Sequence, residues 1–167
     1  MKLAIVGPSN LEALKFVNPD YRKIVANIAK IVAEQKFSVY LTPDFNSSSE
    51  FFAKEYLSAG GKNLFEVLPL DDKLGYGWVN TTLGKHVNCG VWRNQPGKLN
   101  DETEAMLCLG YGAGVLAEIA YSKWPSSRPV LIIKELVSIK LPKELNRSLD
   151  LRYLSYNSLS RELAELS

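Results

Sequence analysis

The stretch Met106-Leu107-Cys108-Leu109-Gly110-Tyr111-Gly112-Ala113-Gly114-Val115-Leu116-Ala117-Glu118-Ile119 constrains the fold of this chain more than any other. It joins an unbroken apolar run, three glycines at alternate positions and the start of an amphipathic helix. An apolar run with no polar alternation suits a strand buried on both faces, and parallel strands need helical crossovers to connect them. The stretch therefore predicts an α/β unit. A strand from Ala105 to Leu109 turns through the glycines into a helix from Gly112 to about Lys123, which ends before Trp124-Pro125.

The remaining segments supply a sheet for that unit. Leu3 to Val6, closed by Gly7-Pro8-Ser9-Asn10, reads as a central strand. Asn18 caps the next helix, Pro19 suits its first position, and Tyr21, Ile24, Val25, Ile28, Ile31 and Val32 form one apolar stripe. Phe37 to Leu41 is a second strand, Glu50 to Ser58 a helix, Asn63 to Pro69 a third strand, and Pro129 to Lys134 a fifth. The tail offers an edge strand from Leu151 to Tyr156 and a helix from Ser158 to Leu166 capped by Asn157. The alternation predicts one Rossmann-like domain over residues 1–167, with a doubly wound, mainly parallel sheet. Asp71 to Glu104 shows no steady period and is expected to cover the site as a flap or inserted hairpin.

Composition narrows the partners. With 167 residues, 46% hydrophobic and 23% charged, the chain can bury a full core as one domain. A net charge of +2 without clustered Lys and Arg gives neither a nucleic-acid nor a membrane surface, so the expected ligand is a small molecule. Cys89 and Cys108 stand far apart and outside any metal-like spacing, so neither a disulfide, a metal site nor another cofactor is expected. No apolar run approaches membrane-spanning length, and the chain enters a strand at once, which predicts a cytoplasmic protein.

The glycine turn carries the chemistry. Gly110, Gly112 and Gly114 let the backbone take positive φ and come close to a ligand, and the free amides around Ala113 and Val115 point at an anion. Tight strand-to-helix packing would explain the same glycines. Gly7, Ser9, Asn10 and Thr42, with Asp44, follow strands one and two at the end of the sheet where open α/β folds hold ligands, although ordinary turn chemistry favours the same residue types. Glu118 lies about one turn into the helix and leans back toward the glycines, where it could polarise a ribose hydroxyl or a water, or stabilise an oxocarbenium ion; a carboxylate favoured by the helix dipole is the alternative. Arg93 could clamp a phosphate or simply lie on the surface. His86, the only histidine, has no partner at a triad or metal spacing.

Gly110 to Glu118 resembles the Gly-Gly-Gly-x-Gly-Thr-x-x-Glu loop of the Rossmann-like superfamily of molybdenum-cofactor carrier proteins and Lonely Guy-type, lysine-decarboxylase-like nucleotide phosphoribohydrolases. Arg93-Asn94 is similar to that superfamily's Arg-Asn ahead of the fourth strand, and Ala59-Gly60-Gly61 through Pro69 to its approach to the third. Tyr111 stands where the motif has glycine, Val115 where it has threonine, and Thr42-Pro43-Asp44-Phe45-Asn46-Ser47 where a second glycine-rich loop would lie. The resemblance implies a nucleotide or phosphorylated ligand at the turn and a homodimer. In the hydrolase branch it implies cleavage of a nucleoside monophosphate, with Glu118 and Arg93 matching the catalytic pair. Three functions follow: a binder of a nucleotide or other phosphorylated small molecule, an N-glycosidic hydrolase or transferase, and a protein-interaction module that keeps the fold without a ligand.

Overall fold

The computed structural model describes residues 1–124 and 128–166. In chain order the elements are β1 (Lys2–Val6), α1 (Tyr21–Glu34), β2 (Ser38–Leu41), α2 (Ser48–Ser58), β3 (Leu64–Leu68), β4 (Lys85–Asn88), α3 (Gln95–Glu102), β5 (Ala105–Cys108), α4 (Ala113–Tyr121), β6 (Pro129–Ile133), β7 (Asp150–Leu154) and α5 (Leu159–Glu165). The strands form one sheet in the order β4-β3-β2-β1-β5-β6-β7, and every pairing is parallel. This is a doubly wound, Rossmann-like α/β fold.

Alternate residues of each central strand enter different cores. Leu3 and Ile5 of β1 pack with α1, α2 and α5, whereas Ala4 and Val6 pack with Leu99 of α3 and Val115 and Ile119 of α4. Both faces are covered, so apolar residues are needed at odd and even positions alike. That accounts for the unbroken runs at Leu3–Val6, Ala105–Cys108 and Val130–Ile133.

Local chemistry moves several element ends. Asn18 does not cap α1; its side chain accepts a hydrogen bond from the Asp20 amide at 2.9 Å, and the helix begins at Tyr21. α2 starts two residues earlier than the apolar stripe suggests, because the Ser47 hydroxyl accepts from the Glu50 amide at 3.0 Å and caps it. α5 has Ser158, not Asn157, at its cap position. α4 stops at Tyr121, and Pro125, expected just beyond that helix, lies outside the described residues.

The larger correction concerns Asp71 to Glu104, which is not an inserted hairpin. It contributes a parallel edge strand, β4, and a helix, α3. Only the loop between β3 and β4 is irregular, and it lies against the turn after β2: Phe45 N donates to Trp78 O at 2.8 Å and Asn80 N to Pro43 O at 2.9 Å. Glu66 of β3 anchors this loop. Its fully buried carboxylate accepts from the amides of Leu83 (2.8 Å) and Gly84 (3.1 Å), and its second oxygen lies 3.1 Å from His86 Nε2. Burial raises the Glu66 carboxyl above its usual range, while the two amides and His86 oppose that rise. His86 therefore belongs to the sheet edge, not to the ligand end of the strands.

Candidate functional site

A cleft of about 210 Å³ opens at the carboxyl ends of β1, β2 and β5. β1 is paired on one side with β2 and on the other with β5, so the winding of the chain reverses there, and open α/β sheets hold ligands at such a point. Two helices begin at the cleft. Ala113, Gly114 and Val115 of α4 line it, and so do Ser47 and Ser49 at the start of α2. No side chain caps α4 at Gly112, whose backbone is extended (φ −165°), which leaves the first-turn amides facing the cleft. The uncapped start of α4 favours an anion, whereas at the start of α2 Ser47 caps the Glu50 amide and Ser48 N donates to Pro8 O at 3.1 Å.

The three glycines of the turn are not equivalent. Gly110 alone takes positive φ (+134°), and a Cβ there would meet Leu14 Cδ2 at 2.5 Å and the Leu136 carbonyl oxygen at 3.1 Å. Gly112 would place a Cβ at ordinary contact distance from Pro8, and Gly114 has nothing within 4 Å. Gly110 is demanded by packing, while Gly112 and Gly114 line the cleft. Gly7, Ser9 and Thr42 line it too. Tyr111 turns away, its hydroxyl 3.1 Å from that of Tyr153 on β7.

The cleft also carries two carboxylates and no lysine or arginine among its lining residues. Glu118 is half-buried, and burial pushes its carboxyl up to about 7; a hydrogen bond from Gln95 opposes the rise and the charge of Asp44 adds to it. Burial also pushes Asp44 up to about 6, and its Oδ1 has no hydrogen-bond partner among the described residues. Gln95 organises this side of the cleft. Its Nε2 donates to Glu118 Oε1 at 2.9 Å and to Thr42 Oγ1 at 3.0 Å, and the Thr42 hydroxyl donates in turn to Val67 O at 2.8 Å. Replacing Gln95 by leucine removes the donor that stabilises ionised Glu118. The Glu118 titration midpoint, followed by carboxyl carbon NMR, is expected to move above its wild-type value; an unchanged midpoint would show that Gln95 does not set it.

Other predicted site residues lie elsewhere. Arg93 is exposed and borders a separate hollow with Asn88, Lys98 and Tyr121. Asn10 caps a short 3-10 turn, Leu11–Phe16, its side chain accepting from the Glu12 amide at 3.0 Å. Conversely, Trp92, Gln95, Ser47 and Ser49 line the cleft without having stood out in the sequence. Their one available signal was position, since Ser47 and Ser49 follow a strand end and Trp92 and Gln95 flank Arg93-Asn94.

Fold and cleft together define an open parallel α/β domain with a cleft at its winding reversal. No protein-family model matches the sequence, and no curated protein matches it. Among solved structures, the chain is similar to the molybdenum cofactor binding protein of the phototrophic bacterium Rippkaea orientalis, with a TM-score of 0.77, 15% identity, and coverage of 99% of this chain and 98% of that one. It is similar to the molybdenum cofactor carrier protein of Chlamydomonas reinhardtii (TM-score 0.72, 14% identity, 99% and 98% covered). A structural-genomics target solved by X-ray gives 0.74, 17%, and 99% of each chain. The chain thus has the Rossmann-like fold of the molybdenum-cofactor carrier proteins over almost its whole length.

Proposed function

We propose that this protein binds a nucleotide or another phosphorylated small molecule, with the phosphate seated on the amides of residues 112–115. The observation that carries this reading is the uncapped start of α4 meeting the start of α2 in one cleft. Two proteins of similar fold are named for binding or carrying a cofactor, which favours holding a small molecule over converting it. Cys89 and Cys108 are both buried free thiols, in keeping with a cytoplasmic setting. Among the described residues no helix is long and apolar enough to cross a membrane. Thermal unfolding with a panel of nucleoside monophosphates and ribose 5-phosphate tests the proposal. A ligand at a hundred times its dissociation constant adds about 2.7 kcal/mol of stability. Absence of any shift across the panel would instead favour the protein-interaction module.

A second reading, N-glycosidic cleavage or transfer on a nucleoside monophosphate, is supported by Glu118. A carboxyl that titrates near neutrality, oriented by Gln95 beside a phosphate seat, can donate or accept a proton or stabilise a ribosyl cation. In this reading free base is released, and Glu118→Ala stops the release while the variant still folds and binds. Arg93, which borders another hollow, would then act on the phosphate only after a change of side-chain position or from a second copy of the chain. The exposed apolar Leu116 and Tyr121 of α4 are consistent with such a homodimer.

A further inference from the structure

The cleft has an aromatic wall that a phosphate does not need. Trp92 lines it, although it lies just ahead of α3 and far in sequence from either helix start at the cleft. Its indole is fixed from several directions. The ring stacks on Trp78 with centroids 5.3 Å apart and planes 16° from parallel. Its Nε1 donates to Gly75 O at 2.9 Å, and its backbone amide donates to Asp72 Oδ2 at 2.8 Å. Trp78 is not among the lining residues, so it backs Trp92 from outside the cleft. The loop that carries Trp78 is itself pinned to the turn after β2 through Phe45 and Asn80. A large ring is thus held rigid at the cleft, beside the apolar Ile5, Pro8 and Val115, at little further entropic cost to a ligand that packs on it.

We propose that Trp92 is a stacking platform for a planar ring, so that the ligand is an aromatic heterocycle joined to a phosphate and not a simple sugar phosphate. The inference rests on the phosphate seat proposed above and names the group that lies beyond it. The phosphate end is polar and marked by the helix starts; the indole gives the other part of the ligand a flat surface. Stacking needs no particular pattern of donors and acceptors, so it selects for a planar ring and not for one base.

Equilibrium binding of ribose 5-phosphate, adenosine, guanosine and uridine 5′-monophosphates, and 5,6-dihydrouridine 5′-monophosphate tests this, the last having a saturated, non-planar ring. At least one aromatic nucleotide is expected to bind about tenfold or more tighter than ribose 5-phosphate, with the dihydro compound close to the sugar phosphate. Trp92→Leu is expected to erase that ratio and leave the affinity for ribose 5-phosphate within about threefold of wild type, because the sugar phosphate has no ring to stack. Trp92→Phe keeps a ring and is expected to retain part of the ratio, which serves if the leucine variant does not fold. Equal affinity for ribose 5-phosphate and every aromatic nucleotide would overturn the stacking role while sparing the phosphate seat, as would equal weakening of both ligand types in Trp92→Leu. Failure of every compound to bind would overturn both.

Discussion

Alanine at position 110 is expected to destabilise the protein by about 3 kcal/mol, combining the cost of a side chain at an unfavourable positive φ with that of overpacking. The new methyl would sit 2.5 Å from Leu14 Cδ2 and 3.1 Å from a backbone oxygen, so relief requires movement of the segment around Leu136 as well as of a side chain. For a chain of this size that corresponds to a fall in melting temperature of roughly 6–12 °C. Gly114→Ala is expected to behave oppositely. It adds a good helix former inside α4 with open space around its Cβ, so stability is kept or slightly raised. Because Gly114 lines the cleft, its loss is expected to appear in ligand affinity. Thermal melts paired with phosphate-ligand titrations separate the two; similar losses of stability in both variants would mean that the turn acts as one packing unit.

The second large effect belongs to Glu118. Its carboxyl is raised from 4.5 to about 7, so between those values the folded protein holds a proton that the unfolded chain has released. The favourable contribution is complete below about pH 4.5, declines as pH rises and is gone above about pH 7. Asp44 adds a change of the same sign between 3.8 and about 6. Glu118→Gln is therefore expected to match wild type in urea unfolding at pH 4.5 and to exceed it by about 2 kcal/mol at pH 8, allowing for the partial exposure of the group. The substitution also removes a negative charge beside the phosphate seat. Affinity for a phosphorylated ligand at pH 8 is expected to rise by about tenfold, since facing like charges oppose binding. A stability difference that does not change with pH would show that Glu118 titrates normally.

These effects rest on residues that differ in how plainly the sequence announced them. The buried strands were legible because both faces of the sheet are covered, which leaves Leu3–Val6 and Val130–Ile133 with no polar position. β4 was not legible: its sequence Lys85-His86-Val87-Asn88 is mostly exposed at the sheet edge and carries no apolar pattern. Nor was Glu66, a charge fully buried in an apolar strand, since its partners are backbone amides 17 and 18 residues away. The glycine turn marked one wall of the cleft through local spacing. The opposite wall escaped because Gln95 and Trp92 reach it through tertiary contacts, in a helix and loop of weak periodicity. The glycines were visible as a group, but their separate duties depend on which Cβ positions are already filled.

The position of β1 has a consequence for how the chain is made. Residues 2–88 supply four consecutive strands of the sheet, with β1 at their inner border, and β5, β6 and β7 are added only after residue 105. Until then β1 carries an apolar, unpaired margin, the kind of edge that invites pairing with another nascent chain. The β1–β5 seam closes only once residues 105–108 are made, and the β5–β6 and β6–β7 pairings follow it. The cleft straddles that seam, taking Ser9 and Thr42 from the early half and Gly112 to Glu118 from the late one. A molecule bound there would touch residues from both sides of the β1–β5 seam, and binding to the folded state alone would add to its stability.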